Sequence, residues 1–268
     1  RADRFGRLEG MRLLVVEDNL INQQVARELL SDEGATVLIA GNGQLGVDAV
    51  ACADPPFHAV LMDIQMPVMD GYAATQAIRQ DLGLHRLPII AMTANAMASD
   101  REACLRCGMD DHVGKPFDLN HLVDVLLNHT RRAKPGVVMA PGPSPVLLTA
   151  PMPELHSVDP ARALERLGGN GRLYAKILQS FLDELAHQPA QLSDLLLSGD
   201  MAQAAQLMHT LKGLSATVGA VYLSAVAADA ETKLKRGLAI SEHSSLCEHL
   251  AEAVRGTVLA MTPLVDQH

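Results

Sequence analysis

Five short apolar runs, most of them closing on a charged or hydroxyl residue and each followed by a helical pattern, constrain the first half of this chain more than any other feature. The runs are residues 11–16, ending in Glu17 and Asp18; 35–40; 57–62, ending in Asp63; 88–92, ending in Thr93; and 111–114, ending in Lys115 and Pro116. Residues 22–30, 44–51, 72–80 and 118–128 carry apolar side chains at helical intervals, and Ser99 and Glu102 have the spacing of a capping box before another helix. Strict β/α alternation predicts a doubly wound, five-stranded parallel sheet covered by helices on both faces. In such a sheet the chemistry gathers beyond the carboxyl ends of the strands.

The character changes at residue 131. Residues 131–157 are punctuated by prolines and read as a linker. About 25 flexible residues have an r.m.s. span of roughly 25–30 Å. From 158 to 268 the pattern is helical throughout, and long amphipathic helices are most economically packed as a bundle. Asp159-Pro160 reads as a helix start, Pro189 as a break or kink, Ser198-Gly199-Asp200 as a stop followed by a cap, and Leu195–Leu197 as bundle core. The expected organisation is an N-terminal extension at 1–10, an α/β domain at 11–130, a linker at 131–157 and an all-α domain at 158–268.

Composition narrows the function. Net charge is −9, with 10 basic and 18 acidic residues in positions 1–130, which argues against nonspecific nucleic-acid or anionic-membrane partners. With no Trp and 3% aromatics, stacking on single-stranded bases is unsupported. Four cysteines form no disulfide framework, and Cys104/Cys107 lack a second metal-binding pair. No run of apolar residues is long enough to span a bilayer. A cytoplasmic location is expected for a piece of a longer protein whose parent could be anchored in the inner membrane.

Glu17, Asp18 and Asp63 end strands that can be neighbours, so three carboxylates should converge. Such a cluster calls for a cation, and oxygen ligands favour Mg²⁺. Thr93 and Lys115 end two further strands on the same rim, where a hydroxyl and an ammonium suit phosphoryl oxygens. Phosphoryl transfer needs alignment and charge neutralisation above all, which makes Asp63 the candidate nucleophile. The motifs Val16-Glu17-Asp18-Asn19, Met62-Asp63-Ile-Gln-Met-Pro67, Met69-Asp-Gly71, Met92-Thr-Ala94 and Lys115-Pro116 resemble the receiver domain of two-component signalling, which is flavodoxin-like. The resemblance implies that Glu17 and Asp18 hold Mg²⁺ with help from the backbone carbonyl of Gln65. It also implies that Asp63 becomes an aspartyl phosphate gripped by Thr93 and Lys115, and that the Lys115–Pro116 bond is cis. His112 stands where the family often has a Tyr or Phe that reorients on phosphorylation.

In the second half, Leu207, Leu211, Leu214 and Val218 read as a core stripe, placing His209, Lys212, Gly213 and Ala216 on another face. A helical glycine costs about 1 kcal/mol relative to Ala, and one turn after His209 it would let another surface approach. Lys212 could neutralise an incoming phosphoryl group, and an exposed neutral imidazole is a good acceptor. His209, Leu211, Lys212, Gly213 and Gly219 resemble the histidine phosphotransfer (HPt) pattern. The resemblance implies phosphorylation of His209 on its outer nitrogen, with Glu231 orienting the imidazole.

A receiver joined to an HPt domain resembles the C-terminal part of a hybrid sensor histidine kinase. The implied partners are a kinase dimerisation/phosphoacceptor domain upstream and a response regulator downstream. No sequence here resembles the ATP-binding kinase core, so this segment is not expected to autophosphorylate. An interaction module with an idle His209 is the alternative. A Mg²⁺-dependent phosphohydrolase is disfavoured by Gln65, which stands where an Asp-x-Asp motif would place its second aspartate.

Overall fold

Aliphatic strands without polar alternation need apolar cover on both faces, and the central strands of the first unit have it. β3 (Ala59–Asp63) and β4 (Ile89–Thr93) are buried at every position. Beside them run β1 (Arg12–Val16), β2 (Thr36–Ala40) and β5 (Asp111–Gly114). All pairings are parallel, in the order β2-β1-β3-β4-β5, which is the flavodoxin-like order with its switch point between β1 and β3. The computed structural model describes residues 6–93, 98–130 and 157–265, and the chain divides into two compact units. Most of the Pro-rich segment expected at 131–157 lies outside the described residues.

Short polar side chains start the helices of the first unit. Asn19 caps α1 (Leu20–Asp32), Asn42 caps α2 (Gly43–Ala51) and Asp70 caps α3 (Gly71–Gln76), each accepting from backbone N–H groups of the first turn. Asn42-Gly43, which reads as a turn, is therefore a helix start. A π-helical turn, Ala77–Asp81, extends α3, followed by α4 (Ala98–Arg106) and α5 (Leu119–Thr130). Ser99 falls inside α4 rather than at its cap. The N-terminal extension is not separate from the sheet domain: Leu8 is fully buried and Arg7 pairs with Glu33 at 2.6 Å. The Lys115–Pro116 bond is cis, as the resemblance implies.

The second unit is helical throughout: α6 (Pro160–Arg166), α7 (Gly171–Leu185), α8 (Gln188–Ser198), α9 (Met201–Val218), α10 (Val221–Arg236) and α11 (His243–Val265), with a 3₁₀ turn before α11. Contacts join α9 to α10, α10 to α11, α11 to α7 and α7 to α9, closing a four-helix bundle, while α8 packs on α9 and α11. Pro189 begins α8 rather than kinking a longer helix. Gly199 ends α8 in the left-handed region and Asp200 caps α9. In the run Leu195–Leu197 only Leu196 is buried, and Leu197 is 83% exposed. The buried stripe of α9 passes through Met208, Leu211, Leu214 and Val218. Met208 takes the place expected of Leu207, because the residue one position along lies about 100° around a helix.

Gly219 ends α9 at φ +83°, and a Cβ there would collide with the backbone carbonyl of Asp159. The Asp159 N–H donates to the Gly219 carbonyl at 2.7 Å, which ties the start of α6 to the turn between α9 and α10. This glycine serves the packing of the bundle.

Candidate functional site

The strand register builds one rim. Val16 pairs with Met62, Asp63 with Met92 and Thr93 with Gly114, so Glu17, Asp63, Thr93 and Lys115 lie at successive strand ends. Carboxylate oxygens of Glu17, Asp18 and Asp63 lie within 4.8 Å of one another. Lys115 Nζ sits 2.6 Å from Glu17 Oε2 and 2.7 Å from Asp63 Oδ2. Burial pushes the Asp63 carboxyl up to about 6, Lys115 opposing the rise and Glu17 adding to it. Burial, then Glu17, also raises Asp18. Burial alone would lower the Lys115 ammonium, but the Glu17 and Asp63 carboxylates hold it above its ordinary value.

Thr93 is 3% exposed, and its Oγ1 is a buried polar atom with no hydrogen-bond partner among the described residues. An orphaned hydroxyl is costly unless a ligand satisfies it, and this one lies one strand from Asp63. The donor set is all oxygen, and three carboxylates with one ammonium leave two negative charges, which fits a hard divalent cation. Gly71 fits closely beneath: a Cβ there would collide with the Asp63 carbonyl. Gln65 lies two residues beyond β3.

His112 lies on β5 beside a second polar cluster. Its Nδ1 is buried without a hydrogen bond among the described residues, 3.5 Å from Asp111 Oδ1, while Asp111 Oδ2 lies 2.9 Å from His129 Nε2.

In the helical unit, α9 and α10 bring His209 against Glu231, with Nδ1 2.9 Å from Oε1. A carboxylate only accepts, so Nδ1 carries a proton, and in the neutral ring Nε2 is then the nitrogen with the free lone pair. Lys212 Nζ donates to Glu231 Oε2 at 2.9 Å and Lys235 Nζ to Oε1 at 2.6 Å. Burial would raise the Glu231 carboxyl, but hydrogen bonds from His209, Lys235 and Lys212 hold it well below the usual range. The imidazole is more enclosed than an exposed acceptor: its side chain is 15% exposed, since Glu231 and the helix face cover much of the ring. A Cβ at Gly213 would meet nothing within 4 Å, so the glycine opens space rather than relieving a clash.

Three contributors escape a reading of the sequence. From α1, Asn22 Nδ2 donates to Glu17 Oε1 at 3.1 Å and so aims the carboxylate, and Gln23 Nε2 donates to the backbone carbonyl of Glu17 at 2.7 Å and so anchors the main chain there. Lys235 joins the Glu231 cluster. All three read as ordinary polar helix positions, and nothing in their spacing marks them.

Residues 13–127 match the family model of the response regulator receiver domain and residues 176–258 that of the Hpt domain. The chain therefore belongs to two-component signalling proteins, as a receiver domain followed by an Hpt domain. Among curated relatives it is 34% identical over 229 residues to sensor histidine kinase GacS of Pseudomonas protegens, covering 84% of this chain and 24% of that protein. It is 32% identical over 208 residues to the signal transduction histidine-protein kinase BarA of Escherichia coli, covering 76% of this chain and 22% of that protein. The chain thus spans about a quarter of the length of these relatives. A solved receiver domain of a Pseudomonas aeruginosa sensor histidine kinase, with a magnesium ion in its active-site cleft, is 40% identical. That match covers 46% of this chain and 98% of the other, with a TM-score of 0.42. Among the described residues no helix is long and apolar enough to cross a membrane.

Proposed function

We propose that this chain is the phosphorelay segment of a hybrid sensor histidine kinase. In this reading Asp63 takes a phosphoryl group from a kinase phosphohistidine, exchanges it with His209, and His209 delivers it to a separate response regulator. The observation that carries the reading is the rim itself: a buried carboxylate bridged by Lys115 to Glu17, beside a threonine hydroxyl with no hydrogen-bond partner among the described residues. The kinase phosphoacceptor domain and the downstream receiver are the proposed partners. A cytoplasmic setting, with the parent anchored at the inner membrane, goes with it.

Lys115 keeps Asp63 ionised near neutral pH despite its burial, so an oxygen lone pair is available to attack phosphorus. As the new O–P bond forms, the N–P bond to the donor histidine breaks. Lys115 then has a phosphoryl oxygen to hold in place of the Asp63 oxygen, and Thr93 Oγ1 gains an acceptor. Glu17, Asp18 and Asp63, with the carbonyl of Gln65, would hold Mg²⁺, which when bound neutralises the carboxylates and the phosphoryl oxygens. Asn22 keeps the Glu17 carboxylate aimed at that position, and Gln23 anchors the Glu17 backbone. At the second station, Glu231 fixes the Nδ1–H tautomer of His209 and so presents Nε2 as the nucleophile. Lys212 is the nearby cation for the arriving charge.

The test is label transfer from a cognate phosphorylated kinase to the full chain. Wild type should show a hydroxylamine-sensitive label on Asp63 and an alkali-stable label on His209. Asp63→Asn should abolish both. Undiminished labelling of His209 in Asp63→Asn would remove Asp63 from the route. If His209→Gln leaves downstream phosphorylation intact, the chain is a docking module instead.

A further inference from the structure

Three donors converge on Glu231, and only two have a part in the relay as described. Its side chain is 8% exposed, and it holds His209 Nδ1 and Lys235 Nζ on Oε1 and Lys212 Nζ on Oε2. Lys212 is enclosed with it at 14% exposed, whereas Lys235 reaches in from the next turn of α10 and is 52% exposed. An exposed i,i+4 lysine–glutamate pair ordinarily contributes little. This one differs because its carboxylate is buried and already committed to two other groups.

We infer that Lys235 is a positioning residue that holds the charge of Glu231 so that Lys212 is free to turn to the phosphoryl group. The inference rests on His209 being the phosphoryl acceptor. In the resting site Lys212 is spent on Glu231. If it left a buried carboxylate with no other cation, the uncompensated charge would pull it back. Lys235, at 2.6 Å on the other oxygen, removes that penalty. During transfer the O–P bond of the Asp63 acyl phosphate breaks and its electron pair returns to the carboxylate. The Nε2 lone pair forms the N–P bond, Nδ1 keeps its proton, and the ring becomes positive. The phosphoryl group brings about two negative charges. The ring, Lys212 and Lys235 then balance it and Glu231, and without Lys235 the half-buried cluster is left one charge negative.

The experiment loads the full chain on Asp63 with a radiolabelled small acyl phosphodonor and Mg²⁺, and times the alkali-stable label on His209. Lys235→Met should slow loading by about tenfold, with the melting midpoint lowered by no more than about a few degrees, and Lys235→Arg should restore the rate to within about threefold. In a Lys212→Met background, Lys235→Met should add less than about twofold, since it acts through Lys212. Wild-type rates in Lys235→Met, an equal slowing in the Lys212→Met background, or no rescue by arginine would overturn the inference. A wild-type chain that labels Asp63 and never His209 would overturn the relay itself, and the role of Lys235 with it.

Discussion

Replacing Asp63 by Asn should make the metal-free receiver more stable, in a pH-dependent way. Asp63 is 5% exposed, and burial lifts its pKa from 3.8 to about 6 even with Lys115 2.7 Å away. Between those values the native state binds more protons at this site than the unfolded chain, so stability falls as pH rises. Above the native value the loss is complete. About two pKa units, at roughly 1.36 kcal/mol each, put it at about 3 kcal/mol. The amide introduced by Asp63→Asn would mimic the neutral acid and escape this cost. Hydrogen exchange of the full chain in EDTA, read on peptides covering 12–16, 59–63 and 89–93, isolates the sheet from the helical unit. The variant should match wild type near pH 4 and exceed it by about 3 kcal/mol above pH 7. Millimolar Mg²⁺ should shrink the gap, because only wild type has the full carboxylate set to neutralise. Equal stabilities at pH 7.5, or a wild-type curve that rises between pH 4 and 6 relative to the variant, would refute the electrostatic account of this rim.

Other consequences are equally specific. Glu231→Gln should slow loading of His209 by at least about tenfold, because the ring tautomer is no longer dictated. Wild-type Glu231 is held well below its ordinary value, so it stabilises the bundle above the unfolded carboxylate range and loses that contribution as pH falls. The helical unit of wild type should therefore be more stable than that of Glu231→Gln above the ordinary carboxylate range, and the two should converge as pH falls. Asn22→Ala should weaken Mg²⁺ binding by about tenfold in calorimetric titration, because Glu17 loses the side chain that aims it. Gly219→Ala should destabilise α9 and α10 by more than about 1 kcal/mol, seen as faster exchange of their amides, since it meets both a positive φ and the Asp159 carbonyl.

The sheet and its rim were legible because the β/α alternation and the polar residue closing four of the five runs are both local patterns. Once the strand order follows, Glu17, Asp63, Thr93 and Lys115 must share an edge. The His209 face was legible for a similar reason, through a glycine that a helix disfavours. What escaped depends on tertiary contact. Nothing in the spacing of Asn22 says that its amide turns back to Glu17, and Lys235 looks like one more exposed lysine until α10 is laid against α9. Arg79 is a sharper case. It falls in the helical stretch 72–80, where nothing in the sequence singles it out. In the fold it is buried and donates to the carbonyls of Gly108, Leu84 and Leu87 and to Asp110 Oδ2, all supplied by loops whose paths only the packed unit defines. The exchange of Leu207 for Met208 in the core of α9 shows the limit of periodicity, where an error of one residue turns the face by more than a quarter of a turn.

Phosphorus NMR of the full chain with Mg²⁺ and a small acyl phosphodonor follows the two stations at once. The account predicts that an acyl-phosphate signal on Asp63 appears first and declines as a phosphoramidate signal from Nε2 of His209 grows. A phosphoramidate that forms as quickly in Asp63→Asn, or resides on Nδ1 where Glu231 should keep a proton, would contradict it.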